Sequence, residues 1–218
     1  LGERARLEDN VSLLTHEMKS PLAAIRGAGE ILHDEISDPS LTRFTDNVIH
    51  ESQRLSDLLD RLLAMAKLEK LESLPARKSR VTISALVEDW QRSRYSLLAE
   101  KHLEVSVNDG VLQAEAETLK LALFNLLDNA LRFANAETTL TVQVEGDSLT
   151  VENIGPAIPD YALDRVTERF YSLPAPGHDK SSGLGLTMVA EIASLHGGSL
   201  ILTNTNNGVR ATLTIPQN

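Results

Sequence analysis

The chain has 218 residues, of which 42% are apolar and 24% charged, an ordinary globular composition with enough apolar content for a core. Its formal charge of −10, with no run of Lys or Arg, excludes a protein that lives on contacts to a phosphate backbone, because nucleic-acid affinity rests on clustered cations. Cysteine is absent, so there is neither a disulfide framework nor a thiolate metal site, and no apolar run approaches the roughly 20 residues that span a bilayer.

The first segment, LGERARLEDN, is charged and lacks the apolar stretch of a signal peptide. It starts without Met and already in helical phase, which predicts a piece of a longer protein whose upstream part is membrane-bound. Leu7, Val11, Leu14, Met18, Pro21, Ile25, Ala28 and Leu32 follow in alternating steps of four and three, the seam of a helix that packs against other helices. This helix is expected to run to about Leu32 or beyond. Asp38 is then a candidate N-cap with Pro39 at the first helical position, where its missing N–H is harmless. Leu41, Val48, Leu55 and Leu62 recur every seven residues in a second helix reaching about Leu71. Two amphipathic helices on a short loop cannot cover both stripes alone. Residues 1–72 are therefore expected to form a dimerising hairpin, two of which build a four-helix bundle.

Pro75 and mixed charge mark residues 73–80 as a linker. Beyond it, LEVSV, TLTVQV, SLTVEN, SLILTNT and VRATLTI are short β-branched runs, interleaved with helical stretches at 84–99, 115–134 and 185–196. The fold class expected is α+β: the helical hairpin, then an α/β sandwich with a mixed sheet over residues 81–218. The stretch from Asp160 to Gly183 has little sustained period and reads as a long loop with short helical pieces, of the kind that carries function.

His16 lies two positions past Leu14, off the apolar seam, where a helical histidine is most often an inert surface residue. Its neighbours argue otherwise. Glu17 can hold one imidazole N–H and leave the other nitrogen free as a nucleophile. Ser20 lies one turn further on the same face. Pro21 removes a backbone hydrogen bond and loosens the helix just beyond the histidine. The segment HEMKS lacks the second histidine of a zinc helix.

Downstream there is no P-loop, but Asn125 and Asn129 stand four apart on one helical face with Arg132 three further on. Amide oxygens suit Mg²⁺, which combines a few protein oxygens with phosphate oxygens and water, and a nearby cation counters phosphate charge. NIGPAIP supplies a strand end and a turn. SSGLGLTMV places Gly183 and Gly185 at the opening of a helix, where the free N–H groups and the positive helix end favour phosphate.

In this order THEMKSPL, NLLDNALRF, NIGPAIP, ERFYSL and SSGLGLTMV resemble the H, N, G1, F and G2 boxes of a two-component sensor histidine kinase. The likeness covers nearly the whole chain and is to the large phosphoacceptor-hairpin class followed by a GHKL-type ATP-binding domain. ERFYSL with KSSGLGL is most similar to the carbon-source-responsive sensor kinases. The resemblance implies that His16 is the phosphoacceptor, with Glu17 its acid/base partner and Ser20 at the position that orients water in members with phosphatase activity. It implies that Asn125 and Asn129 contact Mg²⁺ and ATP, that Arg132 contacts phosphate, and that residues 160–184 form an ATP lid. It further places Asn153, Gly155, Ile158, Phe170, Lys180, Ser181, Ser182, Gly183, Leu184, Gly185, Leu186 and Thr187 around the nucleotide. The expected partners are a second copy of the chain and the receiver domain of a response regulator, with no nucleic acid and no membrane contact in this fragment. It would work in the cytoplasm, its parent anchored in the bacterial inner membrane.

Two positions depart from the family pattern. The residue facing the adenine amino group is normally Asp and here is Asn153, and a later glycine of the same box is Ala157. A rival reading, a dimeric nucleotide-sensing scaffold without phosphotransfer, is favoured only if Asn153 and Ala157 abolish ATP binding; against a second rival, a GHKL ATPase that hydrolyses ATP for conformational work, speaks the hairpin bearing His16.

Overall fold

Among its apolar residues the chain separates two packing solutions, one helical and one built on a sheet, and it divides into two compact units, Leu1–Ser73 and Leu74–Asn218. The computed structural model describes residues 18–20, 22–33, 38, 41–53, 55, 59, 78–169, 171–174 and 183–217. In the first unit, helix α1 is described over 18–20 and 22–33 and helix α2 over 41–53, 55 and 59. The Asp38 carbonyl accepts from the backbone N–H of Leu41 and Thr42, at 3.1 and 2.9 Å, as an N-cap residue's carbonyl does. Arg26 Nη1 donates to Gln53 Oε1 at 2.7 Å and His33 Nε2 lies 3.1 Å from Asp46 Oδ1, so the two helices run antiparallel. Gly29 lets them close up: a Cβ there would meet Ile49 Cγ1 at 3.0 Å.

In the second unit the described elements are β1 (Ser79–Thr82), α3 (Ile83–Ser93), α4 (Tyr95–Glu100), β2 (Glu104–Asn108), β3 (Val111–Ala114), α5 (Ala116–Phe133), β4 (Thr139–Glu145), β5 (Ser148–Ile154), α6 (Asp160–Leu163), α7 (Gly185–Leu195), β6 (Ser199–Asn204) and β7 (Gly208–Thr214). Five strands form one mixed sheet in the order β2-β4-β5-β7-β6, with β2 parallel to β4 and the other pairs antiparallel. β1 and β3 make a separate antiparallel ribbon. Alternation along each strand sends Val142, Leu149, Val151, Ala211 and Leu213 to one buried face. Helix α5 packs on β5 and on α7, and α7 packs on β6 and β7, so the helices cover that face. Leu119, Leu123, Leu127, Leu140, Leu149 and Ile192 are fully buried.

The structure corrects three expectations. The single helix expected over 84–99 is two, α3 and α4, broken at Arg94 (φ −117°, ψ 14°). There the guanidinium turns to Asp128 on α5, with Nε–Oδ1 and Nη2–Oδ2 both at 2.9 Å, and the carboxylate also accepts from Trp90 Nε1. A fork-on-fork pair of this kind holds the break in place. Strands β1 and β3 are not among the expected runs, and β1 begins at Ser79, inside the stretch read as a linker.

Candidate nucleotide site

Helix α5 carries three of the candidate residues. Its start is capped by Glu115, whose carboxylate accepts from the backbone N–H of Glu117 and Thr118. Burial alone would raise the Glu115 pKa, but the Thr118 and Glu117 hydrogen bonds and His196 outweigh it and hold the carboxyl below its ordinary value. The C-terminal end is held by Lys101, whose ammonium donates to the carbonyls of Leu131, Arg132 and Ala134 at 3.0, 3.2 and 3.2 Å. Burial pushes the Lys101 pKa down. Both ends of the helix are therefore fixed by side chains from outside its own turns or at its cap.

Between those ends, Asn125 commits its amide nitrogen to the Leu121 carbonyl at 2.8 Å and lies 3.7 Å from Met188 Sδ on α7. That leaves the Asn125 oxygen as the atom available to a cation. Asn129 follows one turn on, half-buried, and the Arg132 guanidinium lies over the Phe133 ring at 5.9 Å. Among the described residues no cluster of three or more His, Cys, Asp or Glu is placed to hold a metal. A divalent ion here would rest on the amide oxygens together with phosphate and water, a donor set that Mg²⁺ accepts.

Strand β5 brings Asn153 to the same end of the unit. Leu149, Val151 and Asn153 occupy successive inward positions, so an amide stands where the pattern otherwise demands an apolar side chain. Asn153 is only 4% exposed, and its Nδ2 makes no hydrogen bond among the described residues. Gly155 allows β5 to run up against the end of α5, since a Cβ there would collide with the Phe133 carbonyl. The turn after it is tied down by Asn204 of β6, which accepts from Ile158 N and donates to Ile158 O, both at 2.8 Å.

At the start of α7, Gly183 takes a left-handed φ of 67°, and among the described residues no side chain caps the helix. The N–H groups of its first turn thus keep their capacity for an anion. Thr187 turns its hydroxyl back to the Thr167 carbonyl at 2.9 Å, fixing the helix start to the first part of the stretch from Asp160 to Gly183. Gly185 and Leu186 are half-buried in the first turn. Leu184 is fully buried, so its side chain belongs to the core and only its backbone can face a ligand.

The second unit thus brings Asn125, Asn129 and Arg132 on α5, Asn153, Gly155 and Ile158 at the end of β5, and Gly183 to Thr187 on α7 onto elements that pack directly on one another. Ser20 is exposed on α1 in the other unit. His16, Glu17, Phe170, Lys180, Ser181 and Ser182 lie outside the described residues. Sequence reasoning misses Lys101, Asn204 and Arg94, which belong to none of the motifs, and it misses the role of Asp128, which stands inside NLLDNALRF but turns to Arg94.

Residues 114–218 match the family model of histidine kinase-, DNA gyrase B- and HSP90-like ATPases, and residues 6–71 match that of the His Kinase A (phospho-acceptor) domain. Sensor protein CreC of Escherichia coli (strain K12) is 42% identical over 208 residues, covering 93% of this chain and 44% of that protein. Sensor protein QseC of the same organism is 30% identical over 199 residues, covering 88% and 44%. The chain thus spans less than half the length of these curated relatives. Full-length ShkA in complex with AMPPNP has the same fold, with a TM-score of 0.69 at 20% identity over 96% of this chain and 47% of that one. The Acinetobacter baumannii histidine kinase AdeS gives 0.63 at 22% identity over 93% and 98%.

Proposed function

The chain belongs to the two-component sensor histidine kinases, as the core that joins their phosphoacceptor and ATPase domains, and from that premise we propose that it phosphorylates His16 from ATP and passes the phosphoryl group to an aspartate of a response regulator. The observation that carries this reading is the packing of α5 on α7: it sets Asn125 against Met188, one turn from an uncapped, glycine-opened helix start. Charge-seeking amide oxygens and phosphate-seeking N–H groups then serve one ligand.

In the reaction the His16 imidazole attacks the γ-phosphorus of ATP in line. The new P–N bond forms as the bond to the ADP oxygen breaks, through a loose transition state that asks mainly for positioning and charge neutralisation. Glu17 holds the opposite ring nitrogen and takes up the proton that the imidazole sheds. Arg132 and the first-turn N–H groups of α7 offset phosphate charge. Mg²⁺, held by Asn125 and Asn129 with the phosphates, would supply further neutralisation of the transferring group. Two copies join through the seam of their hairpins. The core works on the cytoplasmic side of a membrane-anchored parent, and Ser20 orients water when the phosphorylated regulator is hydrolysed.

Incubation with γ-labelled ATP and Mg²⁺ tests the proposal. The chain should acquire acid-labile, base-stable label, and His16→Gln should lose it while still binding ATP. Label persisting in the variant would move the acceptor elsewhere, with His33 and His50 next in question. ATP binding with no label in the parent chain would favour the scaffold reading, and steady phosphate release without labelling the ATPase reading.

A further inference from the structure

The buried amide of Asn153 is the least explained group in the second unit. Its backbone is held in the ladder opposite Val209, and β7 approaches so closely that a Cβ at Gly208 would collide with the Asn153 carbonyl. The amide nitrogen has no such hold. Nδ2 is buried without a hydrogen-bond partner among the described residues, packed close to Gly155, where a Cβ would sit 3.1 Å from that nitrogen. A buried donor left unpaired is destabilising, so its retention points to an acceptor that arrives with a ligand. Because no described group pairs with that nitrogen, a half-turn about the last torsion exchanges nitrogen for oxygen without breaking a hydrogen bond of the amide nitrogen.

We propose that Asn153 makes the nucleotide pocket tolerant of the 6-substituent of the purine, so that 6-oxopurine triphosphates bind alongside ATP. This rests on the reading above, in which Asn153 faces the base. A carboxylate at the position is an acceptor only. It pairs with the 6-amino group of adenine, and in the same ring pose it would confront the lone pairs of a 6-oxo group. An amide has both faces. Toward adenine its oxygen accepts from the 6-amino group while its nitrogen donates to N1. Toward hypoxanthine it turns over: the nitrogen donates to O6 and the oxygen accepts from N1–H. Two neutral hydrogen bonds are available in either case, so neither base leaves a buried partner unsatisfied.

Inosine triphosphate isolates the effect, since it carries the 6-oxo group without the 2-amino group of guanine. Binding of ATP and ITP to the full chain with Mg²⁺ should be measured by calorimetry for the parent and for Asn153→Asp, with Trp90 fluorescence confirming that each is folded. The expected result is an ITP dissociation constant within about tenfold of that for ATP in the parent, widening by a further tenfold or more in the Asp variant, mostly through loss of ITP. A parent that binds ATP but binds ITP at least a hundredfold more weakly overturns the proposal and leaves the kinase reading intact. So does a variant in which both nucleotides shift equally. A folded parent that binds neither removes the nucleotide site, and this inference with it. Should Asn153→Asp fail to fold, Asn153→Ala replaces it: equal loss of both nucleotides is expected, and loss of ATP alone overturns the proposal.

Discussion

The two units use apolar side chains in opposite ways. In the second, the largest aliphatic residues of α5, β4, β5 and α7 are closed off from water within one copy of the chain, and the single tryptophan, Trp90, is fully buried. In the hairpin the seam stays open: Ile25 is 48% exposed, Leu32 50%, Leu41 48% and Val48 43%. Scattered exposed apolar residues are normal, but a helical stripe of them at heptad spacing is a surface awaiting a counterpart. The lesson is that the ATPase unit carries its own stability, whereas the hairpin's stability depends on how much of the chain is present to pair with.

The largest way to break that contrast is through the closed core. Leu123 is fully buried on α5, and Leu123→Ala should destabilise the second unit by about 2–5 kcal/mol, the sum of lost transfer energy and the cavity left behind. Denaturant unfolding followed by Trp90 fluorescence reads this unit alone, because no other tryptophan exists. Dimerisation should persist. A variant that loses both its Trp90 transition and its dimer would mean that the units do not stand independently.

The next largest effect is on the open seam. Ile25→Asp removes about half an isoleucine's burial from each copy and adds a carboxylate to the interface, so the dimer should weaken by about 2 kcal/mol, roughly 30-fold, measured by sedimentation across a concentration series. The Trp90 transition should not move. An unchanged dimer would place the pairing surface on another face of the hairpin.

The same contrast explains which elements the amino-acid pattern reveals and which it hides. Steps of four and three from Leu7 to Leu32, and of seven from Leu41 to Leu62, are long enough to declare a helix pair and a seam. The sheet strands of five to seven residues are legible for a like reason. β1 and β3 have four residues each, with Val81, Leu112 and Ala114 as their buried positions, too few for a period to show. Arg94 is a good helix former, so its own propensity does not announce the break that accompanies its pairing with Asp128. In the site, asparagines and glycines at fixed spacing stand out because phosphate chemistry demands those residue types locally. Lys101 and Asn204 act on partners 30 to 46 residues away, and nothing in their immediate neighbours distinguishes them from surface polar residues.

The smallest expected effect concerns protons and again belongs to the ATPase unit. Asp89 is held below its ordinary pKa by Lys120 and Arg92, and Asp109 by the Ser84 backbone and side chain. Glu115, the cap of α5, is held below the ordinary glutamate value of 4.5 by the N–H groups it accepts from, despite its burial. A carboxyl whose folded pKa is depressed contributes its stability above the unfolded value and surrenders it as pH falls through the folded value, because below both values neither state is charged. The Trp90 unfolding midpoint should therefore be flat near neutrality and decline from about pH 5 downward. Glu115→Gln should make that decline shallower. At neutral pH it should destabilise by no more than the roughly 1 kcal/mol typical of an N-cap, since the Gln oxygen can still accept the Thr118 N–H and loses only the charge. A variant whose acid limb superimposes on that of the parent would assign the proton uptake to Asp89 and Asp109, and would leave Glu115 a cap whose charge is immaterial.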